Sequence, residues 1–164
     1  MFLPAQYIAG FFDGEGSLSF ATGRTVEGHN TYSAVIRVAN GNRRVLELVQ
    51  KQFHGTLHTY RPRHPNARLN HVLHIHHAQA RPFLEAILPH LVVKRNLVWI
   101  VLCFLERAVK QRGNATKGHQ GWQRLSTDDL ELRSSLHDLV MKMNSGKGKR
   151  TRSLSRLLPE ENFG

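Results

Sequence analysis

The chain has 164 residues, enough for one compact domain and little more. Hydrophobic residues make up 40% and charged residues 21%, which excludes disorder as the main state. Lys plus Arg number 23 against 12 Asp plus Glu, giving a net charge of +11 with 11 histidines in reserve, so a polyanion, nucleic acid first, is the expected partner. The single cysteine, Cys103, excludes an intrachain disulfide and a cysteine-based zinc site, and its apolar surroundings make it a small buried hydrophobe. The N-terminus carries no basic segment ahead of an apolar one, so no secretory signal is expected. The longest uninterrupted apolar run covers residues 97–105, well short of the roughly 20 residues of a membrane span. A soluble intracellular protein is expected, and an organelle (chloroplast or mitochondrion) and a bacterial cytoplasm fit equally.

In chain order, residues 4–12 read as a short apolar helix, with Pro4 in its first turn and Gly14 and Gly16 stopping it. Residues 17–22 alternate and read as a half-buried strand. After a polar connection, residues 31–39 alternate again, with Ala34, Ile36 and Val38 on one face and Ser33, Val35 and Arg37 on the other. Residues 43–53 take a helical period through Val45, Leu46, Val49 and Phe53, and Gly55 is the expected stop. Residues 56–60 read as a third strand and 61–66, with two prolines, as a loop. Residues 68–77 read as a fourth strand, with Leu69, Leu73 and Ile75 facing one way and Arg68, Asn70, His74 and His76 the other.

Pro82 is expected to open a helix running to about Leu88, with Pro89 marking its end. Residues 95–110 read as a buried helix and 111–125 as a loop. Residues 126–143 read as a helix that Ser126 caps and Asp129 closes in a capping box. Residues 145–156 hold five basic residues and no acid, a segment suited to phosphates. The order α-β-β-α-β-β-α-α-α predicts an α+β layer, a four-stranded sheet with helices on one face. The other face is polar, basic and free of acids, so it is available to lie on a ligand.

Residues 7–17, YIAGFFDGEGS, are the most distinctive stretch. Ala5, Ala9 and Asp13 recur every fourth residue with Gly10 and Gly14 beside them, and small residues one turn apart let two helix backbones approach closely. A helix ending in Asp-Gly-Glu-Gly delivers carboxylates to the edge of a sheet. A close pair of such helices gathers negative charge where a hard divalent cation and a phosphate can meet. The segment closely resembles the LAGLIDADG motif of homing endonucleases. The likeness extends over roughly residues 5–151. Asn40 falls where those enzymes commonly carry a water-positioning polar residue, often glutamine, and Arg43 or Arg44 matches a basic residue near the scissile phosphate. Residues 89–95, PHLVVKR, resemble the segment that ends in an active-site lysine, which points to Lys94. Residues 144–151 resemble the phosphate-clamping loop of homodimeric members. Two departures stand out: Glu15 replaces a common aspartate, and Asn40 is shorter than glutamine.

The resemblance implies a single α+β LAGLIDADG domain over 1–164, with a core at about 4–112 and a C-terminal helix and basic arm at about 126–156. One motif implies a homodimer, with Ala5, Ala9, Gly10, Phe12 and Asp13 at the interface. It implies metal-dependent double-strand cleavage of a near-palindromic DNA site, with Glu15, Asn40, Arg43 and Lys94 catalytic. Glu15 and the Gly14 carbonyl would bind magnesium or manganese, and calcium would bind without supporting cutting. DNA would lie on Ser17, Ser19, Arg24, Ser33, Val35, Arg37, His58, Tyr60, Arg61, Arg63, Arg68, Asn70, His74 and His76, and on Lys147, Lys149 and Arg150 of the basic arm. A LAGLIDADG intron maturase, an inactive DNA-binding regulator and a basic membrane-surface protein are the alternatives. His71, His74, His76 and His77 raise a zinc site, but spacing offers no third ligand, so they read as groove-facing or solvated.

Overall fold

The computed structural model describes residues 2–24, 30–61, 68–113 and 127–145. Helix α1 (Ala5–Glu15) buries Ile8, Ala9 and Phe12, one stripe at helical spacing. It ends where the N–H of Gly16 bonds the Phe12 carbonyl and the chain turns extended. A Cβ on Gly16 would strike the Phe12 ring, so only glycine permits this direct passage from helix to strand. Strands β1 (Gly16–Arg24) and β2 (Asn30–Asn40) follow, then α2 (Arg43–Phe53), β3 (Thr56–Tyr60) and β4 (Asn70–Ile75). Helix α3 (His77–Ile87), a 3-10 turn (Leu88–His90), α4 (Arg95–Gly113) and α5 (Thr127–Asn144) complete the described chain.

The four strands form one antiparallel sheet in the order β1-β2-β4-β3. Helices cover one face: α2 lies on β3 and β4, α3 on β2, and α5 on β1 and β2. Leu18, Ile36, Leu73 and Ile75 from the sheet meet Ile8, Phe12, Leu46, Phe83, Leu84 and Ile100 from the helices in a single core. Phe83 takes the edges of Phe12 at 5.5 Å and Phe53 at 5.2 Å, joining α1, α2 and α3. At the far end Phe20 packs on Phe104 at 4.7 Å, and Arg133 lies over Phe104 at 5.3 Å. Asn144 Nδ2 donates to the Leu18 carbonyl at 2.8 Å, fastening α5 to the edge strand.

The expected order of elements holds, and several limits move. Helix α1 runs three residues past the expected end. Strand β4 covers only Asn70–Ile75 of the expected 68–77, and His77 already belongs to α3. Leu69 therefore lies outside the strand, 45% exposed, and His71 takes the inward position at its start. Pro82 sits inside α3 instead of opening it. It removes the N–H that would bond the residue 78 carbonyl, a single loss near the helix start. Helix α4 includes residues 111–113, assigned above to a loop. Helix α2 ends at His54 and Gly55, with φ of 61° and 107°. Gly55 is required there, since a Cβ would strike the His74 carbonyl. The cap at Ser126 and Asp129, the loop residue Arg63, and Lys147, Lys149 and Arg150 lie outside the residues and side chains described.

Candidate nucleic-acid interface and metal site

The period of two in each strand divides the sheet. Ser17, Ser19, Ser33, Val35, Arg37, His58, Tyr60, Asn70 and His74 all point away from the core, with His76 just beyond β4. The register aligns Ser17, Arg37, His74 and Thr56 in one row across the four strands. Ser33, Val35, Arg37, His74 and His76 line a shallow depression of about 260 Å³. Asn70 is held by both ends of its amide: Nδ2 donates to the Tyr60 hydroxyl at 3.1 Å and Oδ1 accepts from the His71 N–H at 3.0 Å. Among the described residues every carboxylate sits on a helix and none on this face. Arg24 is exposed at the far end of β1, while Arg61 and Arg68 are exposed where β3 ends and β4 begins. Burial first, then the charges of Arg37, His58 and His76, hold the His74 imidazole below the ordinary histidine value.

The register brings the start of β1, the end of β2, the end of β3 and the start of β4 to one end of the sheet. Glu15 emerges there. The carboxylate of Asp13 is its neighbour in the helix and acts as a latch. Oδ2 accepts the N–H of Val92 at 2.8 Å and of Val93 at 3.1 Å, and Oδ1 accepts that of Lys94 at 2.9 Å. Lys94 Nζ in turn donates to the Asp13 carbonyl, and the Lys94 carbonyl accepts the Val98 N–H at 2.9 Å to start α4. The ammonium thus sits on the carbonyl end of α1, where the helix dipole is negative.

Glu15 and Gly14 are exposed, and Glu15 forms no ion pair among the described residues. A carboxylate and a carbonyl at a helix end are oxygen donors, the kind a hard divalent cation takes. No three His, Cys, Asp or Glu side chains gather into a metal cluster among the described residues.

Asn40 and Arg43 lie at the same sheet end. Asn40 Oδ1 accepts the Asn42 N–H at 2.8 Å, and Asn42 Oδ1 accepts the Arg44 N–H at 3.1 Å, so Asn40 shapes the turn into α2. Arg43 Nε donates to Glu47 Oε1 at 2.6 Å and Nη1 to Thr59 Oγ1 at 3.1 Å, and Thr59 Oγ1 meets His71 Nδ1 at 2.8 Å. His71 is 7% exposed. The expectation that His71 faces the groove or solvent is corrected: the alternation that turns Leu57, Leu73 and Ile75 inward turns His71 inward too, along with Thr59, which was not singled out.

Neither a protein-family model nor a curated protein matches the sequence. Solved structures do. I-GzeII, a LAGLIDADG homing endonuclease in complex with its DNA target, matches at a TM-score of 0.58 and 10% identity over 96% of this chain and 50% of that one. The chain has the LAGLIDADG homing-endonuclease fold. I-TnaI, a homing endonuclease, matches at 0.57 and 19% identity over 89% of this chain and 99% of that one. I-SmaMI, bound to an uncleaved DNA target in the presence of calcium ions, matches at 0.57 and 20% identity over 96% and 49%. The chain therefore spans nearly all of I-TnaI and about half of I-GzeII and I-SmaMI.

Within this LAGLIDADG fold the expected seam on α1 needs correction. Ala9 and Phe12 are fully buried in their own chain and cannot reach a partner, and the Asp13 carboxylate is spent on the latch. Ala5 is half-buried. The outward small residues are Gly10 and Gly14, each with open space where a Cβ would stand. Tyr7, 50% exposed and stacked on Phe11 at 6.3 Å, flanks them on the same helix. The latched loop carries Val92 and Val93, 85% and 77% exposed. Helical period alone cannot say which of two adjacent small-residue rows faces inward; the large partners, Ile8 and Phe12, decide it.

Proposed function

We propose that the chain is a DNA endonuclease that acts as a homodimer with a divalent cation and makes a double-strand break in a long, near-palindromic site. The observation that carries this reading is the Asp13 latch, which fixes the Lys94 ammonium beside the end of the helix that presents Glu15. A sheet face without a described carboxylate, running outward from that point, supplies a surface for a polyanion. I-GzeII and I-SmaMI, about twice this chain's length, are both DNA-bound, which favours two copies of this chain doing the work of one such protein.

The row of Gly10 and Gly14 is the proposed seam, closed by Tyr7, Val92 and Val93 of both copies. It would bring two Glu15 carboxylates and two Gly14 carbonyls to one stretch of duplex, pooling the oxygen donors of both chains. Bound there, magnesium would acidify water and neutralise charge on the phosphate. Glu15 holds that site. Lys94 has two further N–H groups beyond the one on Asp13, and these can donate to a phosphate oxygen as its charge grows. Arg43, kept from swinging by Glu47 and Thr59, faces the same phosphate, and the Asn40 amide orients solvent. Arg24, Arg61, Arg63 and Arg68, with Lys147, Lys149 and Arg150, would grip phosphates, while Arg37, Asn70, His74 and Tyr60 read base edges with Ser17, Ser19, Ser33, Val35, His58 and His76 around them. From Ser17 to Arg24 strand β1 reaches about 24 Å at ~3.4 Å per residue, or about 7 base pairs of each half-site.

A cleavage-site selection from a randomised duplex library, run with magnesium and with EDTA, tests this. Paired cuts with two-fold-related flanking sequence in magnesium alone are expected. Binding without any magnesium-dependent cut would leave a silent DNA binder.

A further inference from the structure

Three histidines of the proposed DNA surface, on the outer sheet face, have no part in the cutting step. His58 stands on β3, His74 on β4 and His76 just past its end. The His58 and His74 rings meet edge to face at 5.1 Å, and His74 and His76 are 6.5 Å apart and near parallel. We infer that the His58–His74–His76 cluster takes up protons when duplex DNA docks on the sheet, so that binding tightens as the pH falls. This rests on the sheet's being the DNA surface.

The charged surroundings of the cluster are one-sided. Strand β2 presents Arg37 in register with His74, and β3 presents His58 beside the uncharged Thr56. On the far side of Arg37, β1 presents Ser17 and Ser19, which carry no charge. Beside His74 on the same β4 face stand Asn70 and Val72, also uncharged. No described carboxylate faces the cluster. Among the described residues a proton on His74 meets only like charge, and burial adds to its cost. A duplex brings the missing negative charge. It also brings acceptors, phosphate oxygens and guanine N7 and O6, that favour an imidazolium with two N–H donors over an imidazole with one. His76 Nε2 lies 2.9 Å from the Thr56 hydroxyl; with that nitrogen donating, Nδ1 becomes a donor toward DNA only in the imidazolium.

The sign follows from linkage. The bound-state pKa lies above the free-state one, so affinity is flat above the bound value, climbs as the pH falls between the two, and is flat again below the free value. Each proton taken up contributes at most about a tenfold gain per pH unit. Binding of a pool of random-sequence duplexes of about 30 base pairs, in calcium, is measured at about pH 8 and about pH 6. The unmodified chain is expected to bind at least about tenfold more tightly at the lower pH. The double variant His58→Gln, His74→Gln should fold unchanged by circular dichroism and keep less than about a third of that gain. His90→Gln, an exposed histidine on the 3-10 turn, should keep all of it. A double variant with the full gain, or an unmodified chain that binds equally at both pH values, overturns the inference and leaves the DNA reading standing. No binding at either pH overturns both.

Discussion

Asp13 and Glu15 are two carboxylates two residues apart, and their surroundings give them different work. Asp13 is saturated by three backbone N–H groups of residues 92–94, whereas Glu15 projects from the helix end with no ion pair among the described residues. Replacing Asp13 by Ala would strip three donors of a charged acceptor and loosen both the loop and Lys94. We expect a loss of about 2 kcal/mol in chemical denaturation, since hydrogen bonds to charged groups are worth roughly 1.5–3 kcal/mol and these are only partly buried. Glu15→Gln should leave the fold and DNA affinity intact and abolish cutting. Retained cutting would remove Glu15 from the metal role. Gly16→Ala should cost about 1–3 kcal/mol, read as a lowered melting temperature, because the added methyl collides with the packed Phe12 ring.

At the scale of elements, Phe83 of α3 is the joint between α1 and α2, and Phe83→Ala should cost about 3–5 kcal/mol of folding stability. Near-unchanged stability would show that the core closes over the gap. Helix α2 was legible from its apolar period over the expected residues 43–53, and β3 over 56–60, whereas the inward Thr59 and His71 interrupt the apolar alternation of β3 and β4. The start of α3 was not, because Pro82 is a strong first-turn signal, and the N–H groups of Gln79 and Ala80 on the His76 carbonyl, which begin the helix earlier, leave no mark in composition. The small-residue rows of α1 on which the proposed seam rests were half legible. Small residues were visible, but their inward or outward sense depends on tertiary packing. Thr59 and His71 behind Arg43 were illegible as a unit, because they lie on separate strands and only register joins them.

For the whole molecule, charge is segregated: described carboxylates on the helices, none on the sheet face opposite. Salt should therefore weaken DNA binding steeply, and Arg61→Ala should lower the slope of log affinity against log salt by about one while leaving base preference unchanged. A loss confined to one base position would place Arg61 on a base edge instead. The remaining question at this scale is whether two copies meet through Gly10 and Gly14. A Gly10→Cys variant in a Cys103→Ala background, oxidised on duplex DNA and resolved without reductant, tests it directly, because a disulfide forms only when Cα atoms approach to about 4.4–6.8 Å. A covalent dimer that still binds DNA is predicted; a chain that stays monomeric under oxidation while bound to DNA would contradict it.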